Sequence, residues 1–112
     1  MTPKPEKLYV VVRGDLSPAQ QAVQAAHALT EFGFEHKEAM HTWYTTSNHL
    51  ALLSVSGEAA LLALFDRAKE HGLRTSVFIE PDLGHKATAI VLEPKGKRLC
   101  RSLPLALRGG GS

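Results

Sequence analysis

The run Leu8-Tyr9-Val10-Val11-Val12-Arg13, followed closely by Ser17-Pro18-Ala19-Gln20, constrains the fold of this chain more than any other stretch. The run is β-branched and nearly all apolar, which marks a central strand covered on both faces. Gly14-Asp15-Leu16 then turns the chain. Ser17 suits an N-cap, Pro18 the first helical position, and Gln20 can complete a capping box. A strand that feeds a capped helix is the opening of an α/β unit.

Along that helix Val23, His27, Thr30 and Phe34 share one face at a spacing of about 3.6 residues. Gln20, Gln24, His27 and Glu31 form a polar edge beside it, and His27, where the two meet, is expected half-buried. A short second helix runs through Glu38, Trp43 and Tyr44 to about Thr45. Leu50–Val55 is a second strand, and Ser56-Gly57-Glu58 opens a helix with an apolar stripe of Leu61, Leu64, Phe65 and Ala68. Gly72 ends it as a left-handed cap. Thr75–Ile79 and Ala87–Leu92 are two further strands joined by Glu80-Pro81-Asp82-Leu83-Gly84-His85-Lys86, and a last helix is expected over Lys97–Leu103. This order predicts an α/β fold: a three-layer α/β/α arrangement with a mixed four-stranded sheet and helices on both faces. With 112 residues, 44% of them hydrophobic, there is material for one core. The expected domain spans residues 7–108, after a flexible N-terminus over 1–6 and before a linker or disordered tail over 109–112.

Several classes of function are excluded at this level. The apolar runs are far shorter than the roughly 20 residues needed to cross a bilayer, so no membrane partner is expected. The polar start Met1-Thr2-Pro3-Lys4-Pro5-Glu6-Lys7 is no secretory signal, and a cytoplasmic location is expected. Cys100 is the single cysteine, and His36, His41, His49 and His71 have no metal-ligand spacing, so no metal site is predicted. Net charge is only +2. Residues 84–112, however, hold Lys86, Lys95, Lys97, Arg98, Arg101 and Arg108 against the single acid Glu93. Such asymmetry favours an anionic partner, although a solvated helix face explains it equally well. Aromatic residues make up only 6% and do not interleave with the basic ones. A nucleic acid would therefore be held mainly through phosphate rather than base stacking.

The chemistry can sit at two loops that succeed strands. The Ser17 helix start offers free backbone N–H groups and a positive dipole end to a phosphate or a developing oxyanion. Asp82, after a proline and before Gly84-His85-Lys86, can orient or deprotonate water, although Pro-Asp-x-Gly is also ordinary turn chemistry. The two loops meet if strands one and three run parallel and lie close.

Together these segments resemble a known family. Val12-Arg13-Gly14-Asp15-Leu16 and Gln24-Ala25-Ala26-His27-Ala28 are similar to the strand-loop-helix opening of type 2 peptidyl-tRNA hydrolases, V-R-x-D-L and then A-Q-x-x-H-A. The second strand, the helix ending at Gly72, Ser76-Val77-Phe78-Ile79-Glu80-Pro81-Asp82 and Thr88-Ala89-Ile90-Val91-Leu92 come in family order, so the resemblance covers about residues 7–103. It implies a homodimeric α/β domain that cleaves the ester between a stalled peptide and the 3′ ribose of tRNA, without a cofactor. By position Asp82 matches the loop aspartate that acts on water, Thr88 the threonine opening the last strand, and Gln24 and His27 the helix motif. Arg13 and the basic tail, with Lys97 and Arg101, are then expected to face the tRNA backbone, and Asp15, Ser17 and Lys86 to line the substrate site.

Two departures mark a divergent branch. The family pattern carries a Gly-Lys-Gly-Lys loop, whereas here the position four residues before Gln24 is Gln20, in a loop shortened to Ser17-Pro18-Ala19. Losing an electrostatic donor of this kind typically costs on the order of 10²–10³ in rate. The loop after Asp82 is also short and places His85-Lys86 where the family has a Thr-Gln-x-x-x-Gly-Thr segment. The expected activity is hydrolysis with Asp82, Gln20 and His27 as the catalytic group. The alternative from a different class is an RNA-binding or adaptor module that kept the fold and lost turnover. A third reading, Leu107-Arg108-Gly109-Gly110 as a conjugation tail, is weaker than a linker.

Overall fold

A computed structural model of the chain describes residues 6–108. The N-terminal segment 1–5 and the Gly109–Ser112 linker or conjugation tail lie outside the described residues. The element order is β1 (Lys7–Arg13), α1 (Pro18–Glu35), α2 (Lys37–Thr46), β2 (His49–Val55), α3 (Glu58–Glu70), β3 (Thr75–Glu80), β4 (Lys86–Leu92) and α4 (Lys97–Cys100). One 3₁₀ turn over Pro81–Leu83 links β3 to β4, and another over Pro94–Gly96 precedes α4.

The sheet order is β2-β1-β4-β3, with β1 parallel to β2 and β4 antiparallel to both its neighbours. β1 and β3 therefore run in the same direction with β4 between them. The carboxyl ends of β1, β2 and β3 and the start of β4 share one end of the sheet. This is the mixed α/β sheet expected from the element order, and helices cover both its faces.

Alternation along β1 explains why the run looks uniformly apolar. Leu8, Val10 and Val12 pack with Ala28 and Phe32 of α1 and Trp43 of α2, together with Ala89 and Val91. Tyr9 and Val11 point the other way, to Leu61, Leu64 and Ala68 of α3, with Leu53, Ile90, Leu92 and Cys100. Burying side chains of this size contributes about 1.5–3 kcal/mol each. Gly14 leaves β1 under β2: its N–H donates to the Val55 carbonyl at 2.7 Å, and a Cβ there would stand 3.0 Å from that oxygen. Gly72 ends α3 at φ +70°, as the left-handed cap requires.

Three local expectations are corrected. The face of α1 that meets the sheet is Gln21, Gln24, Ala28 and Phe32, while Val23 is 47% and Phe34 73% exposed. His27 is accordingly exposed, not half-buried, and its ring stacks on Phe78 with centroids 4.6 Å apart. α4 is confined to Lys97–Cys100, because the chain turns with the Leu103 N–H donating to the Cys100 carbonyl at 3.1 Å. Beyond that turn the chain forms a strap along the free edge of β2. Leu105 bridges Leu53, Ser54 N–H donates to Pro104 O at 3.0 Å, and Ala106 N–H to Leu52 O at 3.0 Å.

Candidate active site

β4 carries an irregularity that decides where Thr88 points. Phe78 pairs with Ala89, but Ile79 pairs with Ala87, so Thr88 is an extra residue opposite β3. Such a bulge breaks the alternation of side chains and is a recurrent device beside functional sites. Regular alternation would send Thr88 with Ile90 and Leu92 toward α3. Instead its hydroxyl faces α1, where it donates to Gln24 Oε1 at 2.6 Å.

Gln24 is 1% exposed and Thr88 is wholly buried, so this contact is shielded from water. The Gln24 amide nitrogen donates to Glu80 Oε1 at 2.9 Å and to Gln20 Oε1 at 3.2 Å. Both N–H donors of the amide are thus used, and the carboxylate, which can only accept when ionised, fixes which way it is turned. The Gln24 bond holds the Glu80 carboxyl below its ordinary range, helped by the Asp82 backbone N–H and the neighbouring His27. With its oxygen taken by Gln24, Gln20 turns its own NH₂ group away from that bond. Gln20 also sits at the head of α1, where its backbone N–H donates to the Ser17 hydroxyl at 3.2 Å, so Ser17 is the N-cap.

Asp82 lies exposed on the 3₁₀ turn that leaves β3, and its backbone N–H reaches Glu80 Oε2 at 3.4 Å. Gly84 and His85, both at positive φ, then reverse the chain into Lys86, which is exposed at the start of β4. On the other side, Arg13 Nε and Nη2 donate to the two carboxyl oxygens of Asp15 at 3.0 and 2.8 Å. The guanidinium holds the Asp15 carboxyl below its usual range, and the carboxylate in turn raises the Arg13 pKa.

The predicted residues therefore fall into three groups. Gln20, Gln24 and Thr88 form one hydrogen-bonded cluster at the carboxyl ends of the strands, with Ser17 capping its helix and His27 on Phe78 beside it. Asp82 joins it through Glu80, and Arg13, Asp15 and Lys86 border the same end of the sheet. Lys97 and Arg101 do not join them: α4 packs on the α3 face, opposite Gln24 and Thr88. Sequence reasoning passed over Glu80, which ties Gln24 to the Asp82 turn. Its signal was the alternation Ser76, Phe78, Glu80, which places a carboxylate on the α1 face of β3.

Two clefts lie apart from the cluster. One of about 540 Å³, lined by Gly14, Asp15, Ser54, Ser56 and Pro104 among others, opens beside the Asp15 turn. The other, about 270 Å³, is at the far end of the sheet between Trp43, Arg74 and Glu93. Neither is lined by Gln20, Gln24, Glu80, Asp82 or Thr88. No group of three or more His, Cys, Asp and Glu residues able to hold a metal exists among the described residues. No helix among them is long and apolar enough to cross a membrane.

Comparison with known proteins bears on the fold and on the family. A solved structure of a protein of unknown function from Agrobacterium tumefaciens strain C58 superposes with a TM-score of 0.65 at 15% identity, covering 92% of this chain and 98% of that one. At that identity the likeness shows the fold. No curated protein matches the chain. The family model for peptidyl-tRNA hydrolase PTH2 matches residues 6–108, the whole of the described structure. The chain belongs to the peptidyl-tRNA hydrolase PTH2 family.

Proposed function

We propose that this protein hydrolyses the ester bond between a peptide, or an N-blocked amino acid, and the 3′ ribose of tRNA. The observation that carries the reading is the family match over residues 6–108, and the local geometry supports a division of labour. Asp82 accepts a proton from water as its oxygen attacks the ester carbonyl carbon. The outward NH₂ of Gln20, held by the Gln24 bond, and the N-terminus of α1 meet the developing oxyanion. The carbon–oxygen bond to the ribose then breaks, and the proton passes to the 3′ oxygen. Exposed His27 and Lys86 meet the substrate, Lys86 at phosphate. In this reading the protein works as a cytoplasmic homodimer in the rescue of stalled translation.

The deciding experiment is release of N-acetylated amino acid from charged tRNA by the wild type and by Asp82→Asn. Loss of a positioned general base lowers the rate by about 10²–10⁴-fold. No release above buffer, or an Asp82→Asn rate equal to wild type, overturns the proposal. Salt-sensitive tRNA binding without release would instead identify an adaptor.

A further inference from the structure

The β1–β4 ladder ends at the Val12–Ala89 pair, yet both backbone groups of Ala87, beyond that last rung, are held by side chains. The Ala87 N–H donates to Glu58 Oε2 at 2.8 Å, and its carbonyl accepts from Arg13 Nη1 at 3.3 Å. Each partner is itself anchored. Arg13 is locked by its two bonds to Asp15, so all three guanidinium nitrogens donate within the protein, and the side chain is 16% exposed. Glu58 is the first residue of α3, where the helix dipole favours a carboxylate.

The clamped residue immediately precedes Thr88. We infer that Arg13 and Glu58 are positioning residues that together hold Ala87, and thereby the β4 bulge that turns the Thr88 hydroxyl toward Gln24. They lie on the far side of β4 from the cluster they support. A register irregularity of this kind needs outside support, because relaxation to regular alternation would swing Thr88 toward α3 and leave the Gln24 amide oxygen without a donor. Arg13 is in this assignment an internal strut and not a phosphate contact.

The clamp serves the same site as the proposed hydrolysis and rests on that reading for its kinetic consequences, while its structural consequence stands alone. Two readouts separate them. In ¹H–¹⁵N spectra the Gln24 side-chain amide signals are expected to shift in Glu58→Ala and in Arg13→Gln, and to stay near their wild-type positions in Glu58→Gln, whose amide oxygen can still accept from Ala87. Unmoved signals in Glu58→Ala overturn the clamp whether or not the protein turns over tRNA. In kinetics, Glu58→Ala and Arg13→Gln are expected to lower kcat on the order of ten- to a hundred-fold, with KM and its salt dependence unchanged. Were Glu58 beside bound RNA, removing its negative charge would lower KM; were Arg13 on a phosphate, Arg13→Gln would flatten the salt dependence by about one contact. Either outcome overturns the assignment of that residue. Should Glu58→Ala fail to fold, Glu58→Asp, which shortens the reach by one methylene, is expected to show the same shift and the same fall in kcat. A wild type without turnover defeats the proposed function and leaves the spectra to decide the clamp.

Discussion

Thr88→Val removes one hydroxyl at a wholly buried position and nearly preserves volume, so its effect isolates the bond to Gln24. The Gln24 amide oxygen is itself buried, and valine would leave it with neither protein nor water to donate. An orphaned buried acceptor costs about 1–3 kcal/mol. For a domain of this size each kcal/mol lowers Tm by about 4–8 °C, so a drop of roughly 5–20 °C is expected. Urea unfolding monitored by circular dichroism supplies the free energies. Gln24→Leu and the double variant complete a cycle: with both partners apolar, the remaining groups, exposed Gln20 and half-buried Glu80, can turn to water. The double variant is therefore expected to be less destabilised than the sum of the singles by about 1 kcal/mol or more. A Thr88→Val protein within about 0.5 kcal/mol of wild type, or strictly additive singles, would refute the reasoning that Gln24 depends on Thr88.

Three other outcomes are expected from the geometry. Because the folded Glu80 carboxyl titrates below its ordinary 4.5, its contribution to stability is present above pH 4.5 and lost as pH falls through the lower folded value; an NMR titration should find that midpoint moved upward in Gln24→Leu, and an unmoved midpoint would contradict the Gln24 bond as the main cause. Burial pushes the Cys100 thiol up to about 11, so native protein at pH 8 should resist alkylation at the rate of a free thiol, and fast labelling without unfolding would show the residue to be accessible. Gly33→Ala meets only the flexible end of Met40 at 3.1 Å within helix α1 and should stabilise by about 0.5–1 kcal/mol, whereas Gly96→Ala meets Leu92 at 3.0 and 3.2 Å and should destabilise by about 1–3 kcal/mol; thermal melts of equal sign would refute the contrast.

The strands were legible because both faces of the central pair are buried, which writes a nearly continuous apolar run into Leu8–Val12 and, apart from Thr88, into Ala87–Leu92. The start of α1 was legible from capping chemistry, and Ser17 does cap it. The buried face of α1 was not, for a physical reason. Near the cluster that face is made of Gln21 and Gln24, amides that satisfy their hydrogen bonds inside, so hydropathy pointed to Val23 and Phe34 instead. Local rules fail most often where polar groups are buried for a purpose. The bulge left no mark either, since Thr88 sits in an otherwise regular apolar run without a glycine. Asp82 was singled out from its Pro81, Gly84, His85 and Lys86 neighbours and from the resemblance, whereas its link to the cluster through Glu80 depends on a contact between β3 and a helix more than fifty residues earlier in the chain.

The strap over residues 104–107 changes what counts as the end of this fold. Judged by its helices and strands, the chain finishes at Cys100, and the residues beyond look dispensable. Yet Pro104 and Ala106 occupy backbone groups on the outer edge of β2, and the Leu107 N–H is tied to buried Gln21 at 2.9 Å. Cutting the chain after α4 would uncover Leu53 and leave β2, with its already exposed Leu50, as an open leucine-rich template for strands of other molecules. Residues 104–107 thus act as a selvedge on the sheet, keeping its edge from being woven into a neighbour's.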